Sequence, residues 1–421
     1  ARMNYSFLDF LGLLGAVGLF LYGMKVMSEG LQKAAGDRLR NILSAMTRNR
    51  FTGTATGFLI TALIQSSSAS TVMVVSFVNA GLMTLSQSMA VIMGANVGTT
   101  FTAWVIALFG FSVNISSFVL PMLGIAVPLL FANRSRTKSI GEFLVGFAFL
   151  FMGLDLISKY VPDLQTNPEM FEFLTRYTTM GYGSVWIFML VGVVLTMIIQ
   201  SSAATFAITL IMCSKGWIGF DLSCAIVLGS NIGTTITPIL ASLSGNTAAK
   251  RTAMGHLLFN LLGTVWCMTL FYPFVNLTTW LTEVFGFGNP TELVGFVKHI
   301  ELTQPELYNH LFDNSLPAGH DVMMKIAMMQ TSVSYGLSMF HTAFNIVNLS
   351  VMIWLTNVYV KIVVALVPGK SEDEEFQLKF ISGGLLNASE LNLTQAEKEL
   401  VVYSQRVQRM IGMVQNLIHT R

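Results

Sequence analysis

The sequence predicts an all-α, polytopic membrane protein built from two inverted repeats, each with a re-entrant helical hairpin and a broken transmembrane helix. Three observations carry that expectation. Only 11% of the 421 residues are charged, against about 25% in soluble proteins, while 53% are hydrophobic and mean hydropathy is +0.63. That is more apolar surface than a water-facing fold of this length hides. The charges are also clustered: Phe51 to Asn133 contains no Asp, Glu, Lys or Arg, and Tyr177 to Ala249 contains only Lys215 and Asp221. Finally, one pattern occurs twice at a constant spacing of 135 residues, pairing Gly57 with Gly192, Thr61 with Thr196, Gln65 with Gln200, Gly94 with Gly229, Asn96 with Asn231 and Thr102 with Thr237. Gap-free pairing over that distance marks an internal duplication.

Residues 1–50 hold the first span, 7–27, which is too long for a signal-peptide core. An interfacial stretch follows at 28–50, with Lys33, Arg38, Arg40, Arg48 and Arg50. Repeat 1, residues 51–132, opens with 53–83. Its polar centre Gln65-Ser66-Ser67-Ser68-Ala69-Ser70-Thr71 leaves about 12 apolar residues on each side, where a span needs about 20, so two half-length helices should meet at a polar tip. Residues 85–112 could span, yet Gly94-Ala95-Asn96-Val97-Gly98-Thr99-Thr100 lies mid-segment and predicts local unwinding. A span at 117–132 completes the unit. The connecting region 133–184 has a basic loop (Arg134, Arg136, Lys138), a span at 140–158 and an acidic loop with Asp163, Glu169 and Glu172.

Repeat 2, residues 185–275, has its hairpin at 192–212 around Gln200-Ser201-Ser202-Ala203-Ala204-Thr205. Its broken helix is 220–243, around Gly229-Ser230-Asn231-Ile232-Gly233-Thr234-Thr235, and a span follows at about 254–275. A looser match at a spacing of 130, Phe20-Leu21-Tyr22-Gly23 through Ser28 against Leu150-Phe151-Met152-Gly153 through Ser158, extends the duplication to the preceding helices. Residues 276–332 read as an acidic extracytoplasmic loop region, and 333–360 as the last transmembrane segment. Residues 361–421 read as a cytoplasmic tail in which Thr394 and Glu397 form a capping box. There Leu400, Val407, Ile411, Val414 and Ile418 share one face of an amphipathic helix over 395–418. The tail is either short in itself or the first helix of a regulatory domain.

Three crossings separate the two hairpins, and an odd number turns the second one over. The basic loops then fall on one side, which the positive-inside rule makes cytoplasmic. Inverted repeats with interrupted helices point to a secondary transporter whose site lies at the midplane. The net charge of +2 provides no basic patch for nucleic acid, and Cys213, Cys224 and Cys267 read as buried thiols. No resident cofactor is expected.

Each hairpin tip creates a helix N-terminus worth about half a positive charge, so converging tips could offset an anion without Lys or Arg. Gln65, Ser66, Ser67, Ser68, Gln200, Ser201 and Ser202 would offer donors to a tetrahedral anion. Oxygens of Gln65, Ser68, Asn96, Thr99, Thr100, Gln200, Asn231, Thr234 and Thr235 suit a hard cation such as sodium. Ser, Thr and Gly also serve plain helix packing in membranes, but their occurrence in two matched pairs favours a site. For Asn96, Thr99, Thr100 and their counterparts, support of the hairpin is the competing role. Two copies of His-x-x-Phe-Asn, His256 to Asn260 and His341 to Asn345, place His and Asn on one helical face. They read as structural pairs, or alternatively as a gate or cation ligands. Asp155 and Lys215 lie at segment ends and read as snorkelling.

The doubled Gln-Ser-Ser signature, each copy followed 31 residues later by the Asn of Gly-Ala-Asn-Val-Gly-Thr-Thr or Gly-Ser-Asn-Ile-Gly-Thr-Thr, resembles the type II sodium-dependent phosphate cotransporters, in particular their bacterial branch. The resemblance runs over roughly residues 7–360. It implies inorganic phosphate and sodium, the latter as co-substrate, at the hairpin tips; a homodimer in the bacterial inner membrane; and a tail that begins a PhoU-like helical domain. Two departures stand out. Ala203 replaces the third serine of the second tip, and Pro121 to Ile125 replaces the His-Asp-x-Phe-Asn of animal members, which leaves the sodium stoichiometry open. Alternatives to a symporter are a phosphate exporter and a membrane phosphate sensor. An intramembrane hydrolase is disfavoured, because neither histidine has a nearby nucleophile elbow or carboxylate orienter in sequence.

Overall fold

The computed structural model describes residues 6–35, 49–79, 83–110, 116–160, 176–308, 311, 321–369 and nine tail positions between 397 and 411. Among these residues the regular structure is helical throughout. After α1 (Phe7–Ala35) comes the first hairpin, α2 (Arg50–Ile64) and α3 (Ser67–Asn79), then α4 (Leu85–Gly110), α5 (Ser116–Leu130) and α6 (Ser135–Tyr160). The second hairpin is α7 (Tyr182–Ile199) and α8 (Ser202–Ser214), followed by α9 (Phe220–Gly233) and α10 (Ile236–Ser242). The remainder comprises α11 (Thr247–Thr269), α12 (Phe271–Val284), α13 (Glu292–Thr303), α14 (Pro305–Tyr308), α15 (Asp321–Met352) and α16 (Thr356–Leu366).

Among the described residues, five stretches are long and apolar enough to cross a bilayer: α1, α4, α6, α7, and α9 with α10. They become seven if α11–α12 and α15–α16, bent by 89° and 90°, each count as one span. Outward-facing Phe118, Leu120 and Ile125 of α5 and Leu190, Val194 and Ile198 of α7 are exposed, as apolar helices are where lipid rather than protein covers them.

The duplication is visible in three dimensions. A Cβ on Gly57 would collide with the Val91 carbonyl, and one on Gly94 with that of Thr54. The counterparts 135 residues on, Gly192 against Ile226 and Gly229 against Met189, meet in the same way. Each copy therefore packs the first hairpin arm directly on the following helix through small residues, the usual route to close approach in lipid. The looser copies at spacing 130 pack on each other: Gly23 abuts Leu150, and Gly153 abuts Phe20. Lys33 Nζ meets Glu142 Oε2 at 2.7 Å further along, so α1 and α6 run antiparallel.

Several sequence expectations are corrected. The predicted unwinding at Gly94 to Thr100 is absent, because α4 is continuous from Leu85 to Gly110. Gly94 there serves close approach to α2, while Asn96, Thr99 and Thr100 bond carbonyls of their own helix. In the second copy the interruption is confined to Thr234 and Thr235, between α9 and α10. Pro238 follows directly; it lacks an N–H, and its ring crowds the carbonyl four residues back, at Thr234. The larger bends lie elsewhere, after Thr269 and after Met352, so the expected spans at 254–275 and 333–358 each end in an elbow. The expected loop between them holds α12, α13, α14 and the start of α15. Residues 36–48 of the basic stretch 28–50, and most of the amphipathic helix 395–418, lie outside the described residues; the nine described tail positions are helical and exposed. The three cysteines are free and buried.

Candidate functional site

Both hairpins reverse at a glutamine. Gln65 (φ 56°) and Gln200 (φ 60°) are the only non-glycine residues with positive φ among the described residues. A left-handed non-glycine residue is sparsely populated and persists only where its surroundings over-determine it. Here three hydrogen bonds do so in each copy. The Gln65 N–H donates to Thr61 O at 2.7 Å and the Gln200 N–H to Thr196 O at 2.8 Å. The side-chain amides donate to carbonyls of their own helix, Gln65 Nε2 to Ala62 O and Gln200 Nε2 to Met197 O at 2.5 Å. Each Oε1 then accepts from a threonine of the following helix, Thr102 Oγ1 at 3.0 Å and Thr237 Oγ1 at 2.6 Å.

The second arm of each hairpin starts at once. Ser66 Oγ accepts from Ala69 N at 3.2 Å, and Ser201 Oγ accepts from Ala204 N at 3.2 Å, a side-chain N-cap in both copies. Ser67 and Ser68 of α3, and Ser202 and Ala203 of α8, therefore occupy the first helical turn, where backbone N–H groups have no intrahelical acceptor. Neither tip includes a Lys, Arg, Asp or Glu. The tips differ in burial: Gln65 is 5% exposed and Ser67 6%, while Gln200 is exposed and Ser201 and Ser202 are half-buried. Ser28 of α1 donates to the Ile64 carbonyl at 2.5 Å, tying α1 to the first tip.

The remaining predicted oxygen donors line the helices that follow. Thr99, Thr100, Thr234 and Thr235 donate their hydroxyl protons to carbonyls of their own helices, which leaves their oxygen lone pairs free to accept. Asn231 Oδ1 lies 3.0 Å from His341 Nε2, and both are buried. Asn260 Nδ2 donates to His256 O at 3.0 Å and Asn345 Nδ2 to His341 O at 2.9 Å, so each His-x-x-Phe-Asn is internally bonded. Among the described residues, His256 has no partner on either ring nitrogen. Asp155 pairs with Lys159 at 2.6 Å, and Lys215 Nζ donates to Ser158 O at 2.9 Å. Both are helix-end arrangements.

Thr102, Thr237 and Ser28 received no role from the sequence, although Thr102 and Thr237 were matched at the spacing of 135 and Ser28 with Ser158 at that of 130. The signal was there: each threonine lies 37 residues after its glutamine, and the bond joins those two positions in both copies.

A sequence model described as Na+/Pi-cotransporter matches residues 19–159 and 167–289, covering both hairpins and the helices after them. The chain belongs to the Na+/Pi-cotransporter family. Its relatives in that family include YqeW of Bacillus subtilis, which carries no functional name, at 33% identity over 63% of this chain and 82% of that protein. A Salmonella typhimurium protein named for inorganic phosphate export, YjbB, is 31% identical over 64% of this chain and 48% of its own length. The chain thus spans about half the length of that relative. Sodium-dependent phosphate transport protein 2A of the rat is 39% identical over 23% of this chain and 15% of its own. No solved structure matches the chain.

Proposed function

We infer that this member of the Na+/Pi-cotransporter family is a secondary transporter that moves inorganic phosphate across the bacterial inner membrane with sodium as co-substrate. The observation that carries the reading is the pair of matched tips, each with a clamped left-handed glutamine and a serine-capped helix start. Phosphate would be held by Gln65, Ser66, Ser67, Ser68, Gln200, Ser201 and Ser202. The first-turn N–H groups and hydroxyls stand in for the fixed cations that the tips lack. Sodium would sit among Gln65, Ser68, Gln200 and the oxygens of Asn96, Thr99, Thr100, Asn231, Thr234 and Thr235. Bound sodium lowers the cost of bringing a multiply charged anion to the tips, so the two affinities are coupled and the coupling is reciprocal.

Alternating access follows if the two halves exchange exposure. The antiparallel contact of the copies α1 and α6 supports an inverted arrangement, a cytoplasmic C-terminus fits the distribution of basic residues, and the family resemblance implies a homodimer. Purified protein in liposomes is expected to accumulate labelled phosphate only under an inward sodium gradient, and Gln200→Ala or Ser67→Ala to abolish the accumulation. Unchanged uptake in both variants would remove the site assignment. Net export is favoured by the name of the relative YjbB; phosphate-loaded liposomes that empty only under the reversed sodium gradient would give the driving condition for that direction.

A further inference from the structure

The two elbows turn short helices across opposite ends of the molecule. α16 leaves α15 at 90° and α12 leaves α11 at 89°. Arg251 Nε, near the start of α11, donates to Val367 O beyond the end of α16 at 3.0 Å. Asn246, the N-cap of α11, donates to the side chain and the carbonyl of Asn79 at the end of α3. Arg50, at the start of α2, donates to Ile353 O of the α15–α16 elbow at 3.3 Å. These ties gather both outer ends of the first hairpin, the start of α11 and the whole of α16 at one face. Near the other end of α15, Ser332 donates to Phe287 O at 2.6 Å, which puts the residues that follow α12 at the opposite face.

α16 has three sides. Thr356, Tyr359 and Val363 are buried, where the helix packs on α11 and α4. Val358, Ile362 and Leu366, each about one turn from the last, are apolar and exposed. Asn357 and Lys361, also one turn apart, form an exposed polar strip. A short helix with an apolar side and a polar side lies in the plane of a membrane interface, its apolar side towards the acyl chains. α12 has the same build, with Leu277, Trp280 and Val284 exposed, but the charges at the two faces differ. α16 carries Lys361 and no carboxylate, with Arg50, Lys250 and Arg251 at its face, while the region from α12 to α14 carries Glu283, Glu292, Glu301 and Glu306 against Lys298.

At the α16 elbow the basic face is organised around one side chain. The guanidinium carbon of Arg50 lies 5.4 Å from the ring centroid of Phe51 and 5.1 Å from that of Trp354, and the two rings meet edge-on at 5.8 Å. Both rings are more than half exposed, at 52% and 65%. A guanidinium has five N–H donors in a rigid fork. One goes to Ile353 O, and among the described residues no carboxylate pairs with Arg50. Stacking between two rings orients the fork, which matches a phosphate in two-point fashion. The apolar side of α16 begins directly beyond Trp354, so an anion that fits both features carries acyl chains.

We propose that Arg50, Phe51 and Trp354 hold the phosphodiester headgroup of an anionic phospholipid in the leaflet at this face. The guanidinium takes the headgroup phosphate, the two rings stand at the level of the glycerol, and Val358, Ile362 and Leu366 follow the chains. A bound headgroup braces the start of the first hairpin against an elbow 303 residues away. The proposal uses the membrane-spanning reading and is independent of what the protein carries and in which direction.

The test is a lipid titration of the full-length protein, stripped of lipid in detergent, with the thermal unfolding midpoint as the readout. Phosphatidylglycerol should raise the midpoint at lower concentration than phosphatidylcholine. Arg50→Gln should raise the half-saturating phosphatidylglycerol concentration about tenfold or more, the worth of one charge-assisted hydrogen bond. Arg50→Lys keeps the charge without the planar fork and should lose most of the same affinity. Trp354→Leu keeps an apolar side chain and should cost about two- to fivefold, the worth of an exposed cation–π contact; it carries the test if the Arg50 variants fail to fold. Equal responses to the two lipids, or a response that survives Arg50→Gln or Trp354→Leu, overturn the proposal. So does an Arg50→Lys protein that matches the parent, since Arg50 would then be general surface charge. Inorganic phosphate without lipid should give no shift that depends on Arg50; one that did would assign the position to a free anion and remove the lipid.

Discussion

Replacing Thr102 by valine keeps the shape of the side chain and removes the hydroxyl that donates to Gln65 Oε1. Holding a non-glycine residue in the left-handed region costs about 1–3 kcal/mol, and that bond is one of three restraining Gln65. Because Gln65 is 5% exposed, water does not replace the lost donor, and an orphaned buried acceptor costs about 1–3 kcal/mol, comparable with the strain being held. The tip geometry then becomes a minor population, and phosphate KM rises about tenfold for each 1.4 kcal/mol lost. The matched change Thr237→Val breaks the equivalent 2.6 Å bond to Gln200, but Gln200 is exposed. Water takes the vacated position there at a cost of about 0.5 kcal/mol or less, which is at most about a twofold change. Sodium-driven phosphate uptake over a range of phosphate concentrations, with thermal unfolding of the same preparations, measures both. An effect of Thr237→Val equal to or larger than that of Thr102→Val would refute the reasoning from burial, as would a folded Thr102→Val with unchanged KM.

Other substitutions test neighbouring parts. Gly94→Ala and Gly229→Ala force a methyl into the Thr54 and Met189 carbonyls and should cost about 1–3 kcal/mol each, read as a lower midpoint in detergent. Gly124→Ala, with open space around it, should be neutral or gain up to about 1 kcal/mol. Asn348→Ala removes both polar ties at the crossing of α11 and α15 and should destabilise by about 1–3 kcal/mol, since the Phe259 carbonyl loses its side-chain donor; a midpoint within error of the parent would show that this crossing does not hold the two helices. Ala203→Ser restores the third hydroxyl of the second tip and should lower phosphate KM by up to about tenfold, the worth of one added hydrogen bond. A raised KM would place position 203 outside the anion's reach.

Much of this was legible in the sequence because duplication preserves spacing whatever the fold around it does. Of the pairs 135 residues apart, Gly57 and Gly192, Gly94 and Gly229, Gln65 and Gln200, and Thr102 and Thr237 make the same contacts in both copies, while Asn96 bonds its own helix and Asn231 meets His341. The glutamine tips were legible as well, since a polar run in the middle of an apolar stretch leaves two arms that are short for a full crossing. The break predicted at Gly94 was misread for a definite reason. Glycine in an apolar helix serves either unwinding or close approach, and only the position of α2 against α4 separates the two. The elbows after Thr269 and Met352 were missed because the apolar composition runs through them, so hydropathy does not register the turn.

By itself, then, the sequence determined the class of solvent, the duplication, and the residue types at both tips, because all three are written in composition and spacing. Tertiary structure alone decided that Gln65 is buried and Gln200 exposed, and that His341 has a partner where His256 has none among the described residues. Two copies with the same local sequence have the same intrinsic preferences; what separates them is which surfaces of the rest of the molecule lie against each one, and that is settled by contacts between residues far apart in the chain.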